Sequence, residues 1–117
     1  ENLVHLSKDL ETTIKGNMPS DQVMSNLSYF YSIFSDSTRL KILISLLLGE
    51  MCVNDLSKLL NINQTTISHQ LKILKTSGAV STTRKNKYIF YKVTNKFVNN
   101  IMLNGVDFYL SRKKDAM

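Results

Sequence analysis

Two short amphipathic patterns separated by three residues constrain this chain more than any other feature. Residues 52–60, CVNDLSKLL, place Val53, Leu56, Leu59 and Leu60 on one face at helical spacing. Residues 64–76, QTTISHQLKILKT, place Ile67, Leu71 and Leu74 at i, i+4 and i+7. Only Asn61-Ile62-Asn63 stands between them, so residues 52–77 read as two helices joined by a tight turn. The second helix turns Gln64, Thr65, Thr66, Ser68, His69 and Lys72 outward. Small hydroxyl and amide groups at a helix start are the groups that read base edges when such a helix enters the major groove. Gln64 can pair with adenine through two hydrogen bonds, threonine offers a hydroxyl and a methyl contact to thymine, and His69 can donate to a phosphate or a guanine acceptor. Polar residues outside a helix are the rule in soluble proteins, so the weight rests on the residues C-terminal to this helix.

Ser77-Gly78 ends the second helix, with the glycine suited to a left-handed terminus. Period-two sequence then runs through residues 80–84 and 88–93, predicting two strands of a hairpin within residues 79–93. Arg84-Lys85-Asn86-Lys87 forms its tip, with Asn86 able to take positive φ. The cations Arg84, Lys85 and Lys87 are placed to touch a sugar-phosphate backbone, although lysines also protect hairpin edges from unwanted pairing. The charge pattern favours the first role. After Asp55 no acid occurs until Asp107, while that interval holds Lys58, Lys72, Lys75, Arg84, Lys85, Lys87, Lys92 and Lys96, within a chain of net charge +6. Such a stretch calls for a polyanionic partner.

The remaining sequence supplies a scaffold. At 117 residues the chain is expected to be one domain, residues 1–117, with a single core. An arm, residues 1–18, carries Leu3, Leu6, Leu10 and Ile14 at helical spacing over residues 2–15. Ser20 is placed to cap a helix with Val23, Leu27, Phe30, Tyr31 and Phe34 on one stripe. Ser35 or Asp36 caps a central helix over residues 37–48, apolar nearly all round. Residues 95–112 predict a last helix whose Phe97, Val98, Ile101, Met102 and Tyr109 form an apolar face wanting a partner, best supplied by a second copy of the chain. No apolar run reaches the roughly 18 residues that span a bilayer, no signal segment is visible, and one cysteine cannot close an internal disulfide. A cytoplasmic location without a membrane partner is expected.

Residues 35–93 resemble the ArsR/SmtB family of winged-helix transcriptional repressors through the run SDSTRLKILISLLLGEMCVNDLSKLLNINQTTISHQLKILKTSGAV and the later KNKYIFYKV. Ser37 replaces the proline usual at the first turn of the central helix, and Asn63 replaces a common serine cap. The resemblance implies a mainly α winged helix-turn-helix with a two-stranded β-hairpin wing. It implies a homodimer joined by its first and last helices that binds an inverted-repeat double-stranded operator and releases it on binding an inducer. Metal-sensing members carry Cys-Val-Cys-Asp-Leu-Cys where this chain has Cys52-Val53-Asn54-Asp55-Leu56-Ser57, so one of three thiolates remains. The family's second metal site, on the last helix, corresponds to Asn95, Phe97, Phe108 and Ser111, none a good ligand. His5 is expected at the surface.

Cys52 therefore has two readings. As the N-cap of its helix, with Asp55 three residues on, it closes a capping box; beside helix amides its thiol can also serve as a metal or redox sensor. No cofactor is expected. No enzyme activity is expected, because His69 and Cys52 are accompanied by no carboxylate pair, Gly-rich phosphate loop or metal cluster. A winged helix used for protein interaction or RNA binding is the alternative to a DNA-binding regulator.

Overall fold

A computed structural model describes the backbone of residues 4–115 and the side chains of residues 4–112. The chain packs as two compact units, one ending at Ser32 and the other beginning at Ile33.

The first unit holds α1 (Lys8–Asn17) and α2 (Asp21–Ser32). Ser7 is extended at φ −67°, ψ 154°, and its Oγ accepts the Leu10 amide at 3.2 Å, so the helix starts there. The expected start at residue 2 is thereby corrected. Leu3 lies outside the described residues, Leu6 precedes the cap, and the apolar stripe of α1 reduces to Leu10 and Ile14. Ser20 Oγ accepts the Val23 amide at 3.3 Å and opens α2 as expected. Phe34 falls beyond α2, in a 3₁₀ turn (Ile33–Ser35) that begins the second unit.

The second unit is the winged helix-turn-helix. Asp36, not Ser35, caps α3 (Ser37–Leu48) by accepting the Arg39 amide at 2.9 Å. α3 buries Ile42, Leu43, Ser45 and Leu46, and the Ser45 hydroxyl donates to the Lys41 carbonyl at 2.8 Å, which makes its burial tolerable. α4 (Val53–Leu60) ends on Asn61 in the left-handed region, φ 55°. Ser57 locks the turn twice: its carbonyl accepts the Ile62 amide at 3.1 Å, and its hydroxyl donates to the Ile62 carbonyl at 2.5 Å. Asn63 Oδ1 then accepts the Thr66 amide at 2.8 Å and opens α5 (Gln64–Thr76), so the substituted cap works. Gly78 takes φ 82°, a conformation costly for any residue with a Cβ, and turns the chain into the hairpin.

β1 (Ser81–Lys85) pairs antiparallel with β2 (Tyr88–Lys92), Lys85 opposite Tyr88, leaving Asn86-Lys87 as a two-residue turn with Asn86 at φ 57°. The hairpin is anchored at its base. Met51 and Tyr91 exchange backbone hydrogen bonds of 3.1 and 2.8 Å, and the Val93 amide reaches the Leu46 carbonyl at 3.4 Å. Asn95 Oδ1 accepts the amides of Phe97 and Val98 and opens α6 (Lys96–Asp115). Ile42, Leu43 and Leu46 from α3, Leu56 from α4 and Ile67, Leu71 and Leu74 from α5 form one core.

Two residues expected on a dimer surface join that core instead. Val98 is 0% exposed and Met102 is 5% exposed, because one side of α6 must cover α3 within its own subunit. Phe97 and Tyr109 stay largely exposed and Ile101 half-buried, so α6 divides into an inward and an outward face.

Candidate nucleic-acid interface

The outward face of α5 is set by what its inward face must bury. At about 100° per residue, Ile67, Leu71 and Leu74 occupy one side, and Thr65, Ser68, His69 and Lys72 fall within an arc of about 100° on the other. These four are exposed. Thr76 continues the same arc at the C-terminal end, a residue the sequence motif did not single out.

Gln64 and Thr66 behave differently from the expectation that groups them with these four. Gln64 Nε2 donates to Asn54 Oδ1 on α4 at 2.8 Å, leaving its carbonyl oxygen and second amide hydrogen to meet a ligand. Thr66 lies on the flank of α5 and is half-buried, with its backbone amide taken by the Asn63 cap. The structure thus brings Asn54 into the site from the first helix of the pair.

The wing cations also separate. Lys85 turns back to form a close ion pair with Glu50 in the α3–α4 connection, and its Nζ lies 5.2 Å from the centre of the Phe90 ring. An exposed pair of this kind stabilises by no more than about 1 kcal/mol, yet it gives Lys85 a preferred direction away from the tip. Arg84, its neighbour along the strand, belongs to the opposite face of the hairpin. Lys87 occupies the turn, with Nζ 5.6 Å from the centre of the Tyr88 ring. Among the described residues Arg84 and Lys87 therefore form no ion pair, and Lys85 presents a charge already matched.

A third contact was invisible in the motif. Arg39, on α3, donates from Nε to the Ile33 carbonyl and from Nη1 to Gln70 Oε1 on α5, each at 3.0 Å. Residues 31 positions apart meet here, and no periodicity announces such a pair.

Cys52 occupies the N-cap of α4 with extended backbone, φ −89°, ψ 172°, but its side chain makes no capping hydrogen bond. It is 8% exposed and packs as a small apolar residue. The capping-box role expected for the thiol is corrected: the side chain is buried and makes no hydrogen bond to the amides of α4.

A profile described as "Bacterial regulatory protein, arsR family" matches residues 36–82, from the α3 cap to the start of the wing. The cadmium resistance transcriptional regulatory protein CadC of Listeria innocua is 36% identical over 84 residues, 71% of each chain. The chain belongs to the ArsR family. The transcriptional repressor SdpR of Bacillus subtilis is 36% identical over 80 residues, 66% of this chain and 89% of its own. The crystal structure of NolR from Sinorhizobium fredii superposes with a TM-score of 0.71 at 25% identity, covering 92% of this chain and 97% of that one. This ArsR-family chain is a DNA-binding transcriptional regulator and not an enzyme, and an RNA-binding or protein-interaction module is not favoured. No helix among the described residues is long and apolar enough to cross a membrane.

Proposed function

We propose that the chain works in the cytoplasm as a homodimeric repressor that reads an inverted-repeat operator with α5 and grips the flanking phosphates with its wing. The observation that carries this is the exposed arc of Thr65, Ser68, His69 and Lys72 on α5, together with the unmatched cations Arg84 and Lys87. Gln64, held by Asn54, reads at the edge of that arc, and Thr66 supports it from the flank. Lys85 contributes at longer range because Glu50 competes for it.

The outward face of α6 supports the dimer. Phe97 and Tyr109 are 63% and 69% exposed, and an apolar groove of about 470 Å³ runs between Phe34, Leu40, Ile44, Ile101, Val106 and Tyr109. Such a surface on a chain of this size is disfavoured in water unless covered. Two copies would set two α5 helices about 34 Å apart, the spacing of successive major grooves. Relatives whose names record repression, SdpR among them, support the sign of regulation.

A soft metal ion at the Cys52 position is not the inducer that this reading favours. CadC is named for cadmium resistance, and a soft ion of that kind needs several thiolates. Cys52 offers one, buried, with Asn54 and Ser57 beside it on α4, and among the described residues no three His, Cys, Asp or Glu side chains gather. These residues do not fit such an ion.

Selection of duplexes from a randomised pool by the full chain tests the proposal. An inverted repeat bound by two protomers, preferred by about 10³-fold or more over random duplex, is the expected result. Equal affinity for all duplexes, or binding by a monomer, would overturn it.

A further inference from the structure

We propose that Arg39 and Gln70 are positioning residues that fix the rotation of α5 about its own axis, and so control base discrimination without touching DNA. The inference rests on α5 being the reading helix. The apolar contacts of Ile67, Leu71 and Leu74 hold α5 against the core, but hydrophobic contact has no direction and leaves a helix some freedom to roll. Polar ties remove that freedom. Arg39 spans from the Ile33 carbonyl, in the buried turn that starts this unit, to Gln70 on α5, with 3.0 Å to each. Its own amide is fixed by the Asp36 cap at 2.9 Å. A planar guanidinium holds its donors in one rigid fork, so the position of Gln70 is referred directly to the backbone at Ile33.

The size of the effect can be worked from helix dimensions. Side-chain ends stand about 5–6 Å from a helix axis, so a roll of about 20° moves them by about 2 Å. Base-edge hydrogen bonds form only within about 2.7–3.2 Å, so His69 and Ser68 lose register under such a roll. A lysine on a long flexible stem tracks a phosphate through the same displacement. Loss of the Arg39–Gln70 tie therefore separates specificity from general affinity.

Gln70 is next to His69 in sequence, is half-buried and is not among the buried core residues, so Gln70→Leu removes the acceptor without replacing a core side chain. The experiment uses the full chain, a duplex selected by the wild type from a randomised pool, and a random duplex of equal length. Gln70→Leu and Arg39→Met are each expected to lower the preference for the selected duplex by about tenfold, the scale of one displaced base contact. Affinity for random duplex stays within about twofold of wild type. The double variant loses no more than either single one, and Gln70→Glu, whose carboxylate still accepts from the guanidinium, keeps the preference. Should Arg39→Met not fold, the two Gln70 variants decide alone. An unchanged preference in Gln70→Leu, or an equal loss on both duplexes, overturns the inference while leaving α5 as the reading helix. A wild type that selects no sequence overturns both, and is seen before any variant is made.

Discussion

Lys87→Ala at the wing turn gives the sharpest numerical test of how the chain grips DNA. Lys87 is exposed, forms no ion pair among the described residues, and has its Nζ 5.6 Å from the centre of the Tyr88 ring. On B-DNA each phosphate neutralised contributes about 0.9 to the slope of log affinity against log salt, through release of condensed counterions. A homodimer places one Lys87 on each half-site, so the variant should have a slope shallower by about 1.8. Over a fourfold rise in salt, from about 50 to 200 mM, the deficit of the variant should shrink by about 12-fold. Fluorescence anisotropy across that range, on a selected and on a random duplex, measures both slopes. The loss should be the same on both, because a phosphate contact carries no sequence. Lys85→Ala should lose less, since its charge is already matched, and Glu50→Gln should steepen the slope by releasing it. A Lys85→Ala deficit equal to that of Lys87→Ala would refute the division of the wing cations. An unchanged slope in Lys87→Ala would refute the wing contact itself.

Other substitutions separate reading from folding. His69→Ala should cost about 1–3 kcal/mol on the selected duplex and almost nothing on random duplex, and an equal loss on both would remove His69 from the base-reading set. Leu71→Ala, at a residue 1% exposed, should lower unfolding free energy by about 2–5 kcal/mol in urea titrations, with the denaturant midpoint moving and the slope retained. Cys52 is 8% exposed, so its thiol should react with an aromatic disulfide reagent far more slowly in the native chain than in denaturant. Prompt native reaction, coupled to loss of DNA binding, would restore a sensing role that the burial argues against.

Much of this architecture is written in local sequence. Asp36, Asn63 and Asn95 are caps because their side chains reach amides three residues on, a contact contained within one short stretch. Gly78 and Asn86 stand where the chain needs positive φ, and their neighbours along the chain announce the turns. Periodicity places the helix pair, the hairpin and the exposed arc of α5 for the same reason: helical and strand repeats are properties of consecutive residues. The start of α1 departs from the periodic pattern although its signal is local, because a regular spacing of leucines runs past Ser7, whose cap opens the helix only at Lys8.

Local sequence thus dictates which elements form and, for α5, which side is polar, whereas Leu59, on the apolar stripe of α4, is left 61% exposed. Tertiary structure decided how those sides are used. α6 is apolar on more than one side, and only packing against α3 assigned Val98 and Met102 inward and left Phe97 and Tyr109 outward. Lys85 looks like Lys87 in the sequence, and only the approach of Glu50, 35 residues away, distinguishes them. Cys52 sits where a cap belongs, but the core claims its sulfur. Arg39 meets Gln70 across 31 residues. The physical reason is common to all four: a contact between distant residues depends on the relative placement of whole elements, which local spacing does not encode.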